Sequence, residues 1–495
     1  MVYLSQKSLW SLAGIVLSVA ADSQYRSRSD LSPPKLNITI PAADANGTEY
    51  VFVTPYNGEI QQPGAYIYRK DGDLVWSSIG YYAGFVDNLH PTTYHGETVL
   101  QAYQGTIDHL HGEGWGQFVL LNHKYEHVVT ATAANHRIPS IHEFNSINGE
   151  TALIEIYIPT LANLSAYGGN SSQKWIGNGI FQEFNIETGE LIFEWSALDH
   201  IDPADSLVAL GSSTANSGLT SEHSWDFIHI NSVDKNEEGD YLISSRHLST
   251  IFKINGTDGS IIWRLGGNSS TFSHDFTFGF QHYARWISQS TDDEVEVISF
   301  FNNGGDGTIT FNNVSSALVV QLNTTDSTAI ILREATAPYG LQAASQGNAQ
   351  LLPNGNFFVG WGSAGAYSEF NTDNEVIFHA FIEDGISYRS FAGNWTGISN
   401  ETPAIVAFED GTSNSTRLFV SWNGDTQTES WKFFTGHGRK RSLIAQVHRK
   451  SFETSFVWKN IDDSATFYVE AIGKDGHVLG KAGPVTTSNW IALSS

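Results

Sequence analysis

Ile254-Asn255-Gly256-Thr257-Asp258-Gly259-Ser260-Ile261-Ile262-Trp263 is the stretch on which the fold turns. An apolar residue leads into Asn, a short polar turn follows, and a second apolar run resumes. Asp-Gly between two apolar runs is a hairpin signal, because the turn requires a residue tolerant of positive φ. The phrase recurs along the chain. Tyr68 leads through Asp71-Gly72 to Leu74-Val75-Trp76, Phe184 through Thr188-Gly189 to Leu191-Ile192-Phe193, and Phe370 through Asp373-Asn374 to Val376-Ile377-Phe378. Further copies open at Leu121-Asn122 and Leu322-Asn323, and only the copy at Tyr68-Arg69 lacks the Asn.

The copies start 48 to 70 residues apart, a period that suits four-stranded blades with loop insertions. Six copies predict an all-β chain built on a six-bladed β-propeller over residues 49–385; a β-sandwich with frequent hairpins is the plainer alternative. Earlier turns such as Ile147-Asn148-Gly149-Glu150 and Asn354-Gly355 supply the other hairpin of a blade. A polar, proline-containing leader arm is expected over 22–48. After Ile382 the phrase stops. Separate apolar runs at Ala404 to Phe408, Arg417 to Trp422 and Phe467 to Ile472 predict a small sandwich of fibronectin type III or immunoglobulin kind over 386–495.

The chain has 495 residues, 16% charged and 13% aromatic, with a formal net charge of −26. An acidic surface repels phosphate backbones and anionic lipid, which argues against nucleic acid and membrane partners. Residues 1–21 read as a secretory signal: Lys7 precedes the apolar run Leu9 to Val19, and small residues follow. Eleven Asn-x-Ser/Thr sequons then argue for the secretory route and for N-glycans. With no cysteine, disulfides, thiolate metal sites and a cysteine nucleophile are excluded.

The chemistry-bearing residues stand a few positions ahead of apolar runs, where an innermost blade strand opens on the axial channel. They are His142; His229 and Asn231, with Arg246 one strand later; His282 and Arg285; and, in the sixth segment, Gln346 and Asn348. Three chemistries suit such a set. Imidazoles bind metals, though Arg246 disfavours a divalent ion beside it. Arg246 and Asn231 suit an anion. A neutral His suits nucleophilic attack on sulfur or phosphorus. His109-Leu110-His111 is a weaker metal pair and more simply a solvated loop.

These phrases together resemble the arylsulfotransferase family, in particular its fungal secreted branch. The matching stretches include Tyr66-Ile67-Tyr68 through Trp76, His142-Glu143-Phe144, and Trp225 through Asp234. They continue with Asp240 through His247, Phe280 through Arg285, Ser345 through Asn348, and Val420-Ser421-Trp422-Asn423-Gly424. The resemblance implies a propeller that moves sulfuryl between phenolic compounds through a sulfated histidine, with no nucleotide donor, metal or other cofactor. By motif, His229, Asn231 and Arg246 look like the sulfate-holding set; by blade order, His282 looks like the nucleophile and His142 the helper. Arg285, Gln346 and Asn348 join the expected substrate contacts. Tyr283 stands where the fungal branch commonly has Asp. Two other readings stay open: acid–base dehydration or cyclisation of a phenolic or terpenoid substrate by the same pocket, and a propeller that binds a ligand without catalysis.

Overall fold

The computed structural model describes residues 24–42, 49–290, 294–410, 415–437, 440–460 and 464–489. The expected signal segment 1–21 lies outside them, as do the sequons at Asn46 and Asn414.

Each copy of the turn phrase joins the third and fourth strands of an antiparallel sheet. In the fourth sheet the strands are Ile230–Lys235, Tyr241–Ser245, Thr250–Ile254 and Ile261–Gly266, paired in that order. The turn residue has positive φ in all six copies: Gly72, Tyr125, Gly189, Gly259, Ser327 and Asn374. The Asn that opens the phrase also has a physical task. Asn255 Oδ1 accepts the N–H groups of Thr257 and Asp258. Asn122, Asn185, Asn323 and Asn371 do the same in their own turns. Where Arg69 replaces Asn, Asp71 Oδ1 takes over by accepting Asp73 N–H. Short polar side chains closing their own turns thus make the repeat.

The protein is all-β, and six such sheets stand side by side. Their first strands are Ser390–Gly393, Phe85–Tyr94, Phe144–Ile147, Ile230–Lys235, His282–Gln289 and Asn348–Leu351. Each touches the next, and the last touches the first, so the six close a ring. Middle strands such as Tyr241–Ser245 and Thr250–Ile254 are buried throughout, because each sheet is covered on both faces by its neighbours. Lysines bridge adjacent sheets: the buried Lys70 to Glu369 (2.5 Å) and Lys253 to Glu296 (2.5 Å), and the half-buried Lys235 to Glu183 (2.7 Å).

The ring is closed by the two segments that flank the repeats. Ser390–Gly393 pairs with Tyr50–Val53 to begin the first sheet, and Leu36–Ile40 pairs with Val376–Ile382 to finish the sixth. Leu36–Ile40, within the expected 22–48 arm, is thus a strand of the sixth sheet, and Ser390–Gly393, within the expected 386–495 unit, is a strand of the first. Two further four-stranded sheets follow, packed around Leu418, Trp431, Phe433 and Phe467. They join the ring through Asn423, whose amide exchanges hydrogen bonds with the Ser77 backbone, and through Gly424, whose carbonyl accepts the Tyr125 hydroxyl.

Candidate active site

Residues at the head of five first strands line one cavity of about 640 Å³: Tyr388, His142, His229, His282 and Gln346. The remaining sheet contributes the hairpin tip His109 to Gly112. Arg246 and His247 reach the same cavity from the return strand of the fourth sheet, because Arg246 N–H donates to the His229 carbonyl at 2.9 Å. Several heads are non-glycine residues in the left-handed region, among them His229 (φ 49°), Phe280 (φ 55°) and Gln346 (φ 67°). Strain of this kind persists where surrounding structure imposes it, and it clusters at functional sites.

The imidazoles are close-packed. The His142 and His229 ring centroids are 4.9 Å apart, and His229 and His247 are 4.8 Å apart. Tyr388 stands between His142 (5.5 Å) and His282 (6.2 Å). Burial, reinforced by neighbouring positive charge, holds His142, His229 and His282 well below the ordinary histidine value, and His247 falls to about 3. All four are neutral at physiological pH, each with one ring N–H and one lone pair.

Their partners fix where the proton sits. His229 Nδ1–H donates to Asp226 Oδ2 at 2.6 Å, and its Nε2 has no hydrogen-bond partner among the described residues. His282 Nδ1 faces Asn303 Oδ1 (2.7 Å) and the Phe280 carbonyl (3.1 Å), both acceptors. The Asn303 amide is oriented by its own donations to Ala343 O and Gln346 O. His282 therefore carries its proton on Nδ1, and its Nε2 accepts Gln346 N–H at 3.2 Å. His142 Nδ1 pairs with Ser140 Oγ at 3.0 Å.

Asp226, His229 and His247 are also the group with metal-ligand potential, their donor atoms lying within 4.8 Å of one another. Two nitrogen or oxygen ligands of one zinc ion, each bonded at about 2.1 Å in a tetrahedron, stand about 3.4 Å apart. The 2.6 Å Asp226–His229 contact is a hydrogen bond instead, and His247 Nδ1–H donates to the Asp226 carbonyl at 2.7 Å. The trio closes on itself.

Arg246, half-buried, contrasts with Arg389, Arg285, Lys70 and Lys253, each of which meets a carboxylate. Its Nη2 donates to Ala344 O at 3.0 Å and its guanidinium lies over Phe280, but its Nε is buried without a partner. Among the described residues, no carboxylate lies within ion-pair distance of it. A half-buried guanidinium so placed, beside neutral imidazoles, suits an anion.

Of the residues singled out by sequence, His142, His229, Arg246, His282 and Gln346 converge on the cavity. Asn231, Arg285 and Asn348 do not. Asn231 is fully buried and donates its amide to Gln281 O. Arg285 is paired at 2.5 Å with Glu143, which Arg389 also holds, at 3.1 Å. Asn348 exchanges hydrogen bonds with the Ser390 backbone, tying the sixth sheet to the first. Each is committed to linking neighbouring sheets. His109 and His111 sit at a loop tip, where His111 bonds to Asp108 and to Ala215 O. Sequence reasoning missed Asp226, His247, Asn303 and Tyr388. Asp226 carried a signal: three residues before His229, its Oδ1 also accepts the His229 N–H.

Residues 90–383 match the family model described as Arylsulfotransferase (ASST). No curated protein matches the chain. Among solved structures, a protein of unknown function from Bacteroides caccae is 13% identical, covering 70% of this chain and 100% of its own, with a TM-score of 0.38. A mutant of the GH43 protein BlXynB from Bacillus licheniformis is 10% identical, covering 81% and 90%, with a TM-score of 0.31. A catalytically inactive virginiamycin B lyase from Staphylococcus aureus, solved with quinupristin, is 10% identical, covering 75% and 99%, with a TM-score of 0.23.

Proposed function

The chain belongs to the arylsulfotransferase family, and on that premise we propose that it moves a sulfuryl group between phenolic small molecules through a histidine, without a nucleotide donor. On this reading the six closed sheets are the blades of a propeller, the last two sheets are a sandwich domain, and the protein travels the secretory route carrying N-glycans. The observation that carries the chemistry is Arg246, a half-buried cation that meets no carboxylate among the described residues, on the wall of a histidine-lined cavity.

An aryl sulfate would place its anionic group against Arg246. A neutral imidazole attacks sulfur, the S–O bond to the ring breaks, and the phenolate leaves with the electron pair. A second phenol then takes the sulfuryl group from nitrogen. The family resemblance assigns the attack to His282 and a supporting role to His142. Arg246 stabilises charge on the sulfuryl oxygens throughout, and removing one such donor typically costs 10²–10³-fold in rate.

The test is a donor–acceptor assay with a chromogenic aryl sulfate and a second phenol. Transfer to the acceptor, reduced about 10²-fold or more by Arg246→Gln, is the expected result. Equal turnover in the variant would contradict the role of Arg246.

A second reading has its own support. His282 Nε2 already holds a backbone N–H, whereas His229, backed by Asp226, is placed as a general base. Acid–base dehydration or cyclisation of a phenolic substrate would use that pair and no sulfate. Consumption of a hydroxylated phenol by a chain that is inert to aryl sulfates would favour it.

A further inference from the structure

We infer that His229, not His282, is the residue that takes the sulfuryl group, with Asp226 as its positioning residue; the inference rests on the sulfuryl-transfer reading above. Three observations carry it. An attacking imidazole needs an open lone pair on the substrate side. His282 Nε2 lacks one, since Gln346 N–H occupies it, whereas His229 lines the cavity with Nε2 unpartnered. An imidazole that bonds to sulfur through Nε2 becomes a cation while Nδ1 keeps its proton, so a carboxylate on Nδ1 stabilises the product. Among the described cavity histidines, His229 donates its Nδ1–H to a buried carboxylate, that of Asp226 at 2.6 Å, whereas His111 meets the part-exposed Asp108 at the hairpin tip. His282 meets an amide and a carbonyl, and His142 a hydroxyl. Finally, Arg246 is the leading charge acting on His229, so a cation stands near enough to serve a sulfuryl group on its Nε2, as it would one on His282.

Asp226 is built for the purpose. It is fully buried, its Oδ1 fixes the His229 backbone by accepting its N–H at 3.0 Å, and its Oδ2 fixes the ring. The His247 imidazole lies against the same carboxylate, with Nδ1 at 3.4 Å from Oδ2. In the first half-reaction the Nε2–S bond forms and the S–O bond to the aryl group breaks. The phenolate leaves with that electron pair and takes a proton from solvent. In the second, the acceptor phenol gives its proton to solvent and its oxygen bonds to sulfur, while the S–N pair returns to Nε2. Asp226 keeps accepting Nδ1–H throughout, and that proton stays in place.

The experiment is single-turnover reaction of the full chain with an aryl sulfate and no acceptor, followed by alkaline quench, proteolysis and mass spectrometry of the peptides. Wild type, Asp226→Asn and His282→Gln are compared. The expected result is one sulfuryl group on the peptide carrying His229, formation slowed about 10²-fold or more in Asp226→Asn, and the label retained in His282→Gln. Asp226→Asn removes the charge and one of the two acceptor oxygens that serve the His229 N–H and Nδ1–H, so the melting temperature is read beside the rate. A change in the rate of label formation at an unchanged melting temperature thus separates positioning of the nucleophile from support of the fold. Label on His282 or His142 overturns the assignment and leaves sulfuryl transfer standing. Transfer to an added phenol with no labelled histidine also overturns it, in favour of direct transfer. Neither label nor transfer defeats the underlying reading, and the assignment with it.

Discussion

Two guanidinium clusters inside the ring are built from the same residue types to opposite ends. In one, Arg285 and Arg389 share the carboxylate of Glu143, at 2.5 and 3.1 Å, and Arg389 also donates to Asn231 O. Burial alone would raise the Glu143 carboxyl, but the two guanidiniums outweigh it and hold it ionised. In the other, Arg246 shares with Arg389 an aromatic face and an unpartnered Nε, but it meets a carbonyl and, among the described residues, no carboxylate. The Glu143 cluster ties sheets together, whereas Arg246, on the cavity wall without a carboxylate, is placed to receive a ligand. The contrast tells structural from functional polarity within one ring, where residue type and burial alone do not.

The sharpest way to break the contrast is at Glu143. Removing one partner of a buried ion pair strands the others, so Glu143→Gln is expected to lower the unfolding free energy by about 3–5 kcal/mol. Denaturant titration at pH 7 checks this, and a change below about 1 kcal/mol would show that the knot is not structural.

The second test is pH. His90, beside the knot, and His247, at the cavity, are both pulled to about 3 by burial. The unfolded chain binds a proton on each below about pH 6.5, and the folded chain does not. Their contribution is therefore fully present above about pH 6.5 and falls as pH drops from there toward 3, by about 1.4 kcal/mol per pH unit for each histidine. Replacing His247 with Gln should flatten the measured slope by one histidine's share, and an unchanged slope would show that His247 is already charged in the fold.

The smallest effect is expected far from both regions. Gly189, at a turn, has φ +72° and open space where a Cβ would stand. Gly189→Ala should cost only backbone strain, about 1 kcal/mol, and leave turnover unchanged. A larger loss would mean that the turn bears a contact beyond its own hairpin.

The hairpins were legible because their cause is local: Asn or Asp closing a turn, then a residue at positive φ. The ring closure was not, because Ser390–Gly393 is four residues long and finds its partner Tyr50–Val53 more than three hundred positions away. Pairing at that separation leaves no periodic mark. The site divides the same way. His142, His229 and His282 were visible as polar residues heading apolar strands, and Arg246 as the return of a hairpin. Asn231 and Asn348 sit at equivalent places, and their amides tie neighbouring sheets together instead. Position along a strand names the candidates, and the partner within reach decides what each one does. Asp226 and Tyr388 matter through such partners, His229 for one and His142 with His282 for the other, so their roles were hidden until the sheets were placed.

The most direct test of the unpaired-cation claim is calorimetric titration with an aryl sulfonate, whose C–S bond cannot be transferred. The wild-type chain is predicted to bind it at one site, with affinity falling about 10²-fold in Arg246→Gln as a charge-assisted contact is lost. The variant's melting temperature should hold or rise, because the cation it removes had no carboxylate partner in the free protein. Equal affinity in the two proteins, or an Arg246→Gln variant destabilised as Glu143→Gln is expected to be, would contradict the account.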